Sequence, residues 1–233
     1  MMNPPTPDAA AGRHVLPIEM PVLAKNTEAA QRNRAWFEVR GLLVINVLSS
    51  PGSGKTTFIE RTLTDLRERL PGAVVVGDLA TDNDAARLRR SGAPVSQITT
   101  GTTCHLDADM VMRAVETLDL EGVRLLVIEN VGNLVCPASY DLGERFRVVL
   151  LSVTEGEDKP LKYPTMFKTA HVVAITKTDM AVAAGFDREA ALENIRRMSP
   201  QAAVVEVSSR TGAGMDSWYA LLLQAARVVQ SDR

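Results

Sequence analysis

The chain predicts a three-layer α/β fold, a mostly parallel sheet wrapped by helices on both faces. Three observations carry that prediction. Short apolar, β-branched runs alternate with amphipathic stretches from about residue 26 onward in the 233-residue sequence, the pattern of parallel strands joined by crossover helices. One such run, Leu42 to Leu48, feeds straight into Ser49-Ser50-Pro51-Gly52-Ser53-Gly54-Lys55-Thr56-Thr57, a glycine-rich loop at the start of a helix. Other runs end in polar loops, among them Gly77-Asp78, Glu129-Asn130 and Thr176-Lys177-Thr178-Asp179. In an open α/β sheet those strand ends form the ligand-facing edge.

Composition narrows the class. A hydrophobic content of 45% supports a real core, and a net charge of −2 gives no global field for nucleic acid or a membrane. No segment is long and apolar enough to span a bilayer, and the N-terminus lacks a charged-then-apolar signal pattern. The expectation is a cytoplasmic protein with no nucleic-acid or membrane partner. Two cysteines in a reducing compartment do not suggest a structural disulfide.

Residues 1–24 contain five prolines and no periodicity, so a flexible N-terminal tail is expected there. Residues 25–233 should form one domain. Thr27 is the expected cap of a helix ending at Gly41, docked through Trp36 and Phe37. A helix follows the glycine-rich loop to about Leu70. Ala73–Gly77 is a strand delivering the acidic loop Asp78 to Asp84, with Asn83 and Asp84 expected to cap the next helix. Further strands are expected at Pro94–Ile98, Val123–Ile128, Arg147–Val153, His171–Ile175 and Ala202–Val207. Helices are expected at Met110–Leu118, Met166–Ala170, Glu189–Met198 and Met215–Val229, and Thr154–Thr165 reads as a loop.

The chemistry follows from the loops. Gly52 and Gly54 let backbone N–H groups curl toward phosphate, and the helix N-terminus adds its positive end. Ser53, Thr56 and Thr57 complete the cradle, although Ser49 stands where the usual pattern opens with glycine. Lys55 would neutralise the β- and γ-phosphates, and the Thr56 hydroxyl would hold Mg²⁺. Asp78 is a candidate for Mg²⁺, its water shell or the attacking water. Glu129-x-x-Gly132 looks like a nucleotide-sensing switch: the acid meets the metal's water shell, and the Gly132 N–H bonds the γ-phosphate. With no obvious glutamine to orient water, intrinsic hydrolysis should be slow. The catalytic candidates are therefore Lys55, Asp78 and Glu129.

Base choice rests on two later loops. Thr176-Lys177-Thr178-Asp179 resembles the guanine-reading motif Asn-Lys-x-Asp, with Thr in the first place. Asp179 would accept from guanine N1–H and the exocyclic amine, a pairing adenine cannot offer. Lys177 would lie along the base, and Ser208-Ser209-Arg210 would offer a backbone N–H to O6. These loops favour GTP and GDP over adenine nucleotides. Cys104-His105 and Cys136 form a soft set suited to Zn²⁺ or Ni²⁺, ligands that a pair of subunits could share. The plainer reading makes the cysteines small buried hydrophobes and His105 a helix cap.

Several blocks extend these motifs. They are Ala24-Lys25-Asn26, the loop Ser49 to Thr57, Gly77-Asp78-Leu79-Ala80-Thr81 and Thr102-Thr103-Cys104-His105-Leu106. Glu129-Asn130-Val131-Gly132-Asn133-Leu134-Val135-Cys136-Pro137 and Lys162-Tyr163-Pro164-Thr165-Met166-Phe167 continue them. On these blocks, over about residues 22–230, the chain resembles the HypB family, the GTPases serving nickel insertion into [NiFe]-hydrogenase. The resemblance implies a P-loop NTPase of the SIMIBI type of G domain. It also implies a homodimer sharing Ni²⁺ or Zn²⁺ at Cys104, His105 and Cys136. The implied partners are a HypA-like nickel-binding protein and the hydrogenase large-subunit precursor. An N-terminal Cys-rich motif or His-rich store, present in some members, has no counterpart here, where the tail carries only His14. Competing readings are a GTPase chaperone of the urease or cobalamin-enzyme type, or a P-loop ATPase of the same superfamily. The spacing of Gly132 and Cys136 on one loop suggests that GTP binding would reshape the metal site, and hydrolysis would relax it.

Overall fold

The computed structural model describes residues 19–78 and 82–231. Its centre is a seven-stranded sheet in the order β3-β2-β4-β1-β5-β6-β7. The strands are β1 (Leu43–Leu48), β2 (Gly72–Asp78), β3 (Val95–Thr99), β4 (Leu125–Glu129), β5 (Phe146–Ser152), β6 (Val172–Thr176) and β7 (Ala203–Glu206). Every pairing is parallel. The sheet is thus wholly rather than mostly parallel, because each connection crosses back over a face instead of turning as a hairpin.

The helices are α1 (Glu19–Arg40), α2 (Lys55–Leu66), α3 (Asn83–Arg89), α4 (Ala108–Val115), α5 (Lys159–Lys162), α6 (Pro164–Lys168), α7 (Ala181–Ala184), α8 (Arg188–Met198) and α9 (Met215–Ser231). Strand alternation sorts their partners. Leu43, Ile45 and Val47 pack with Phe58 and Ile59 of α2, Leu88 of α3 and Trp218 of α9. Val44 packs on the other face with Phe37 of α1 and Val111 of α4. Leu48, Val149 and Ile175 meet Phe167 of α6 and Ile195 of α8. Both faces are covered, so β1 is buried along its whole length, with Asn46 its one polar residue.

Several boundaries depart from expectation: α2 ends at Leu66 rather than near Leu70, and α7 was not expected. α1 begins at Glu19, eight residues before Thr27. Thr27 sits inside the helix, where its Oγ1 donates back to Leu23 O at 2.9 Å instead of capping. Pro21 falls in the first turn, where a helix has no N–H bond to lose. Residues 19–24 of the expected tail are therefore helical, and the remainder of that tail lies outside the described residues. At α3 the cap position belongs to Asp82, which makes no side-chain cap bond, while Asn83 and Asp84 lie within the first turn. Residues 159–162, expected as loop, form the short α5, a turn compatible with Pro160 because proline is tolerated at a helix start.

Asn26 and Asn33 bind α1 to the domain more specifically than its aromatic residues do. Asn26 donates to Asp141 O at 2.8 Å and accepts from Ala108 N at 2.9 Å. Asn33 donates to Ala108 O at 2.8 Å and Leu142 O at 3.2 Å. Each bond contributes about 1 kcal/mol. Gly143 permits the close approach, since a Cβ there would lie 2.8 Å from Ala30 O. Phe37 is buried, as expected, whereas Trp36 is half-buried beneath the Arg40 guanidinium, 3.5 Å from its ring centre. No helix among the described residues is long and apolar enough to cross a membrane.

Candidate functional site

β1 lies between β4 and β5, where the strand order changes direction, and its C-terminal end opens into the glycine-rich loop. Gly52 and Gly54 take φ values of 75° and 95°, the left-handed region that side chains resist. Gly54 stands at the cap position of α2, so the first amides of that helix face the loop's interior. Ser49 is fully buried and serves as a hub. Its Oγ donates to Ser50 O at 2.8 Å and accepts from Ser53 Oγ at 2.5 Å and Lys55 Nζ at 3.2 Å. The residue that replaces the expected glycine therefore holds the loop lysine and the cradle serine.

Glu129, at the end of β4, is 2% exposed. Thr56 Oγ1 donates to its Oε1 at 2.7 Å, while its Oε2 is buried without a partner. Burial raises the Glu129 carboxyl from 4.5 to about 7, with Lys55 and the Thr56 bond opposing. Burial likewise pushes the Lys55 ammonium down, with Glu129 and Asp84 holding it up. An orphaned carboxylate oxygen beside a threonine hydroxyl and a phosphate cradle is the donor set of a hard divalent cation. Thr56 and Glu129 therefore fit Mg²⁺. Asp78 ends β2 within electrostatic range of both Lys55 and Glu129.

Glu129 also sets a pH dependence. Its carboxyl sits higher in the folded protein than in the unfolded chain, so folding takes up a proton between pH 4.5 and about 7. Stability should fall as pH rises through that window. Glu129→Gln should therefore stabilise the nucleotide-free protein at pH 8 by about 2 kcal/mol and do little at pH 5. Urea unfolding at the two pH values checks this, and equal effects at both would refute it.

The base-side loops meet in a cavity of about 300 Å³ lined by Ser53, Gly54, Thr57, Thr176, Lys177, Asp179, Met180, Ser209 and Arg210. Thr176 Oγ1 donates to Ser53 O at 2.9 Å, so threonine fastens the base loop to the phosphate loop where the usual motif has asparagine. Lys177 adopts a φ of 58°, the sole positive value outside glycine among the described residues, and its Nζ donates to Gly52 O at 2.7 Å. That strained backbone, costing about 1 kcal/mol, lays the side chain across the cradle. Ser208 Oγ donates to Asp179 Oδ1 at 2.6 Å and fixes the carboxylate at the cavity wall.

The soft set behaves differently. The Cys104 and Cys136 thiols are neighbours, and that interaction followed by burial pushes the Cys104 thiol up. His105 does not join them. Its ring stacks on Tyr140 with centroids 3.8 Å apart, and its Nδ1 is buried without a partner. Nor does it cap α4, because Asp107 accepts from Met110 N in that role. Among the described residues, no three His, Cys, Asp or Glu side chains of one chain converge on a metal position. Gly132 sits against the phosphate loop, where an added Cβ would lie 3.2 Å from Pro51.

Two residues escaped the sequence reading. Glu155, past β5, has its Oε2 buried without a partner and lies within electrostatic range of Lys55 and Lys177. The argument that singled out Asp78, an acid just beyond a parallel strand, applies to it equally. Asp84 carries its charge toward Lys55 and Glu129, which its place in the first turn of a helix conceals.

A phosphate cradle at the switch point of a parallel sheet, with a base pocket on adjacent strand ends, defines a nucleotide-binding P-loop domain. Residues 43–206 match the family model described as CobW/HypB/UreG, nucleotide-binding domain. Within that group, the chain belongs to the HypB family of hydrogenase maturation factors. It is 50% identical over 206 residues to the hydrogenase maturation factor HypB of Escherichia coli, covering 88% of this chain and 71% of that one. Its structure resembles that of HypB from Helicobacter pylori in complex with nickel, with a TM-score of 0.82 and 42% identity. The likeness covers 87% of this chain and 95% of that one. HypB from Archaeoglobus fulgidus gives a TM-score of 0.81 at 37% identity, covering 87% of this chain and 99% of that one.

Proposed function

We propose that this maturation factor is a GTP-hydrolysing metallochaperone whose nucleotide state controls nickel held between two copies of the chain. The observation that carries this reading is one loop. Gly132 packs on the phosphate loop at Pro51, and four residues later Cys136 faces Cys104. A γ-phosphate bonded by the Gly132 N–H would draw the loop toward the cradle and alter the thiol pair. Gly52, Ser53, Gly54, Lys55, Thr56 and Thr57 hold the phosphates. Lys177, Asp179 and the Ser208-Ser209-Arg210 loop read guanine.

Magnesium, held through Thr56 and Glu129 with Asp78 nearby, supplies charge neutralisation on the phosphates. Lys55 neutralises the β- and γ-phosphates. Asp78 orients the attacking water. Two thiols leave a soft ion under-coordinated, and a second copy completes the set with its own cysteines or with a His105 released from Tyr140. Val135 supports that contact, since it stands 62% exposed beside Cys136. Nickel as cargo accords with the nickel complex of the H. pylori relative, and Zn²⁺ suits the same ligands. A HypA-like protein would then supply or receive the ion, and the large-subunit precursor would take it, in the cytoplasm.

The test is equilibrium dialysis of nickel and zinc with GDP and with a non-hydrolysable GTP analogue, on the parent and Cys104→Ala. Nickel affinity should differ about tenfold between nucleotides and fall at least about tenfold in the variant. Binding indifferent to both nucleotide and Cys104 would leave a nucleotide hydrolase without a gated metal.

A further inference from the structure

A chain of buried polar side chains runs from the nucleotide side to the far end of the thiol-bearing loop. Asn130 follows Glu129, and its backbone N–H donates to Val47 O at 3.1 Å. Its Nδ2 donates to Asn46 Oδ1 at 3.2 Å, and Asn46 Nδ2 donates to Glu144 Oε1 at 3.3 Å. Arg147 Nε reaches the same Glu144 oxygen at 2.7 Å, and Leu142 N donates to Oε2 at 2.7 Å. The Arg147 guanidinium then donates to Ala138 O at 2.8 Å, Tyr140 O at 2.7 Å and Thr169 Oγ1 at 3.2 Å. None of the four residues Asn46, Asn130, Glu144 and Arg147 is more than 9% exposed.

Such a network is a poor device for stability alone. A buried ion pair surrenders hydration that its own attraction roughly repays, and apolar residues of similar size serve a core as well. What the network does provide is direction. Apart from the Glu144 pair and Thr169, every hydrogen bond of the Arg147 side chain ends on a carbonyl of the loop between β4 and β5. That loop leaves Glu129 at the end of β4, passes Gly132 and enters β5 just before Arg147. Between the two ends lies the short 3-10 turn Cys136–Ser139, followed by Tyr140, whose ring stacks on His105. Asn46, on the central strand β1, joins the ends through hydrogen bonds that a shift of Asn130 must disturb.

We propose that Arg147 is a positioning residue: it clamps the Cys136–Tyr140 segment to a polar relay through Asn46, so that this segment responds to the nucleotide sensed at Glu129–Gly132. The inference deepens the proposed metal control and rests on that reading for its purpose. Its physical content is a concerted response of the two loop ends, which exchange measurements read without metal.

The test is hydrogen exchange of the 133–142 segment with GDP and with a non-hydrolysable GTP analogue, on the full chain without nickel. The parent should show a nucleotide-dependent difference in that segment. Arg147→Gln should raise its exchange about tenfold in both states and erase the difference. Asn46→Ala leaves the Arg147 bonds to Ala138 and Tyr140 in place. It should keep exchange with GDP near the parent value and cut the nucleotide-dependent difference at least about threefold. A purely structural role would loosen the segment in Arg147→Gln yet preserve the difference, and that result overturns the proposal. So does a parent-sized difference in Asn46→Ala, which decides alone if Arg147→Gln does not fold. A parent without any difference overturns it as well. Nickel dialysis on the same samples separates the two readings: indifference of nickel to nucleotide removes the metal control, while the exchange comparison still decides the relay.

Discussion

An Asp179→Asn variant is expected to bind GTP about a hundredfold more weakly and to gain affinity for xanthosine triphosphate. Guanine presents two donors, N1–H and the exocyclic amine, which a carboxylate accepts together. An amide presents one donor of its own to that pair and leaves polar groups unmatched in a desolvated site, at about 2–4 kcal/mol. Xanthine carries a carbonyl where guanine has the amine, and the amide N–H₂ suits it. The geometry favours a clean exchange, because Ser208 Oγ already fixes one oxygen of Asp179 at 2.6 Å and can donate equally to an asparagine carbonyl. Competition titrations with GTP, xanthosine triphosphate and ATP give the answer. Unchanged GTP binding would remove Asp179 from base recognition, and a parent preference for ATP would remove guanine altogether.

The second large effect belongs to Lys55. Lys55→Ala should slow phosphate release from saturating GTP by about a hundredfold to a thousandfold, the scale for loss of one preorganised charge at a phosphoryl group. GDP binding should suffer less, because negative charge on the transferring group is what the ammonium meets. This ammonium donates to Ser49 Oγ, and burial works against its charge while Glu129 supports it. Removing it leaves Glu129 without its main charge partner, so the variant's Mg²⁺ dependence should also shift. Single-turnover phosphate release on the purified variant measures this. A rate within a few-fold of the parent would place the catalytic charge elsewhere.

Much of this architecture was legible because its signals are local. Seven strands were readable from β-branched runs, and the phosphate loop from glycine spacing. Asp179 and Ser208 stand out as polar residues just past strands, where a parallel sheet exposes its ligand edge. The misreadings share one cause. Thr27 has the chemistry of a cap but lies within a longer helix, since helix length is set by packing against Ala108 and Asp141 and not by one hydroxyl. Asp84 looked like a cap, yet its charge reaches Lys55 from another segment. Glu155 follows the rule applied to Asp78 and was passed over among neighbouring loop charges.

The sequence by itself determined the layers, the parallel sheet, the phosphate cradle and the place of Asp179 just past a strand end. Each of these is written in residues adjacent along the chain, so periodicity and spacing suffice to find them. Tertiary structure alone decided that Ser49 holds Lys55, that Thr176 ties the base loop to the cradle, and that Cys104 meets Cys136 while His105 turns to Tyr140. It alone joined Asn130 to Arg147 through Asn46 and Glu144. Those contacts span strands that the sequence separates by up to 123 residues. Only the assembled sheet fixes their distances, and no local pattern encodes which buried polar groups will face one another.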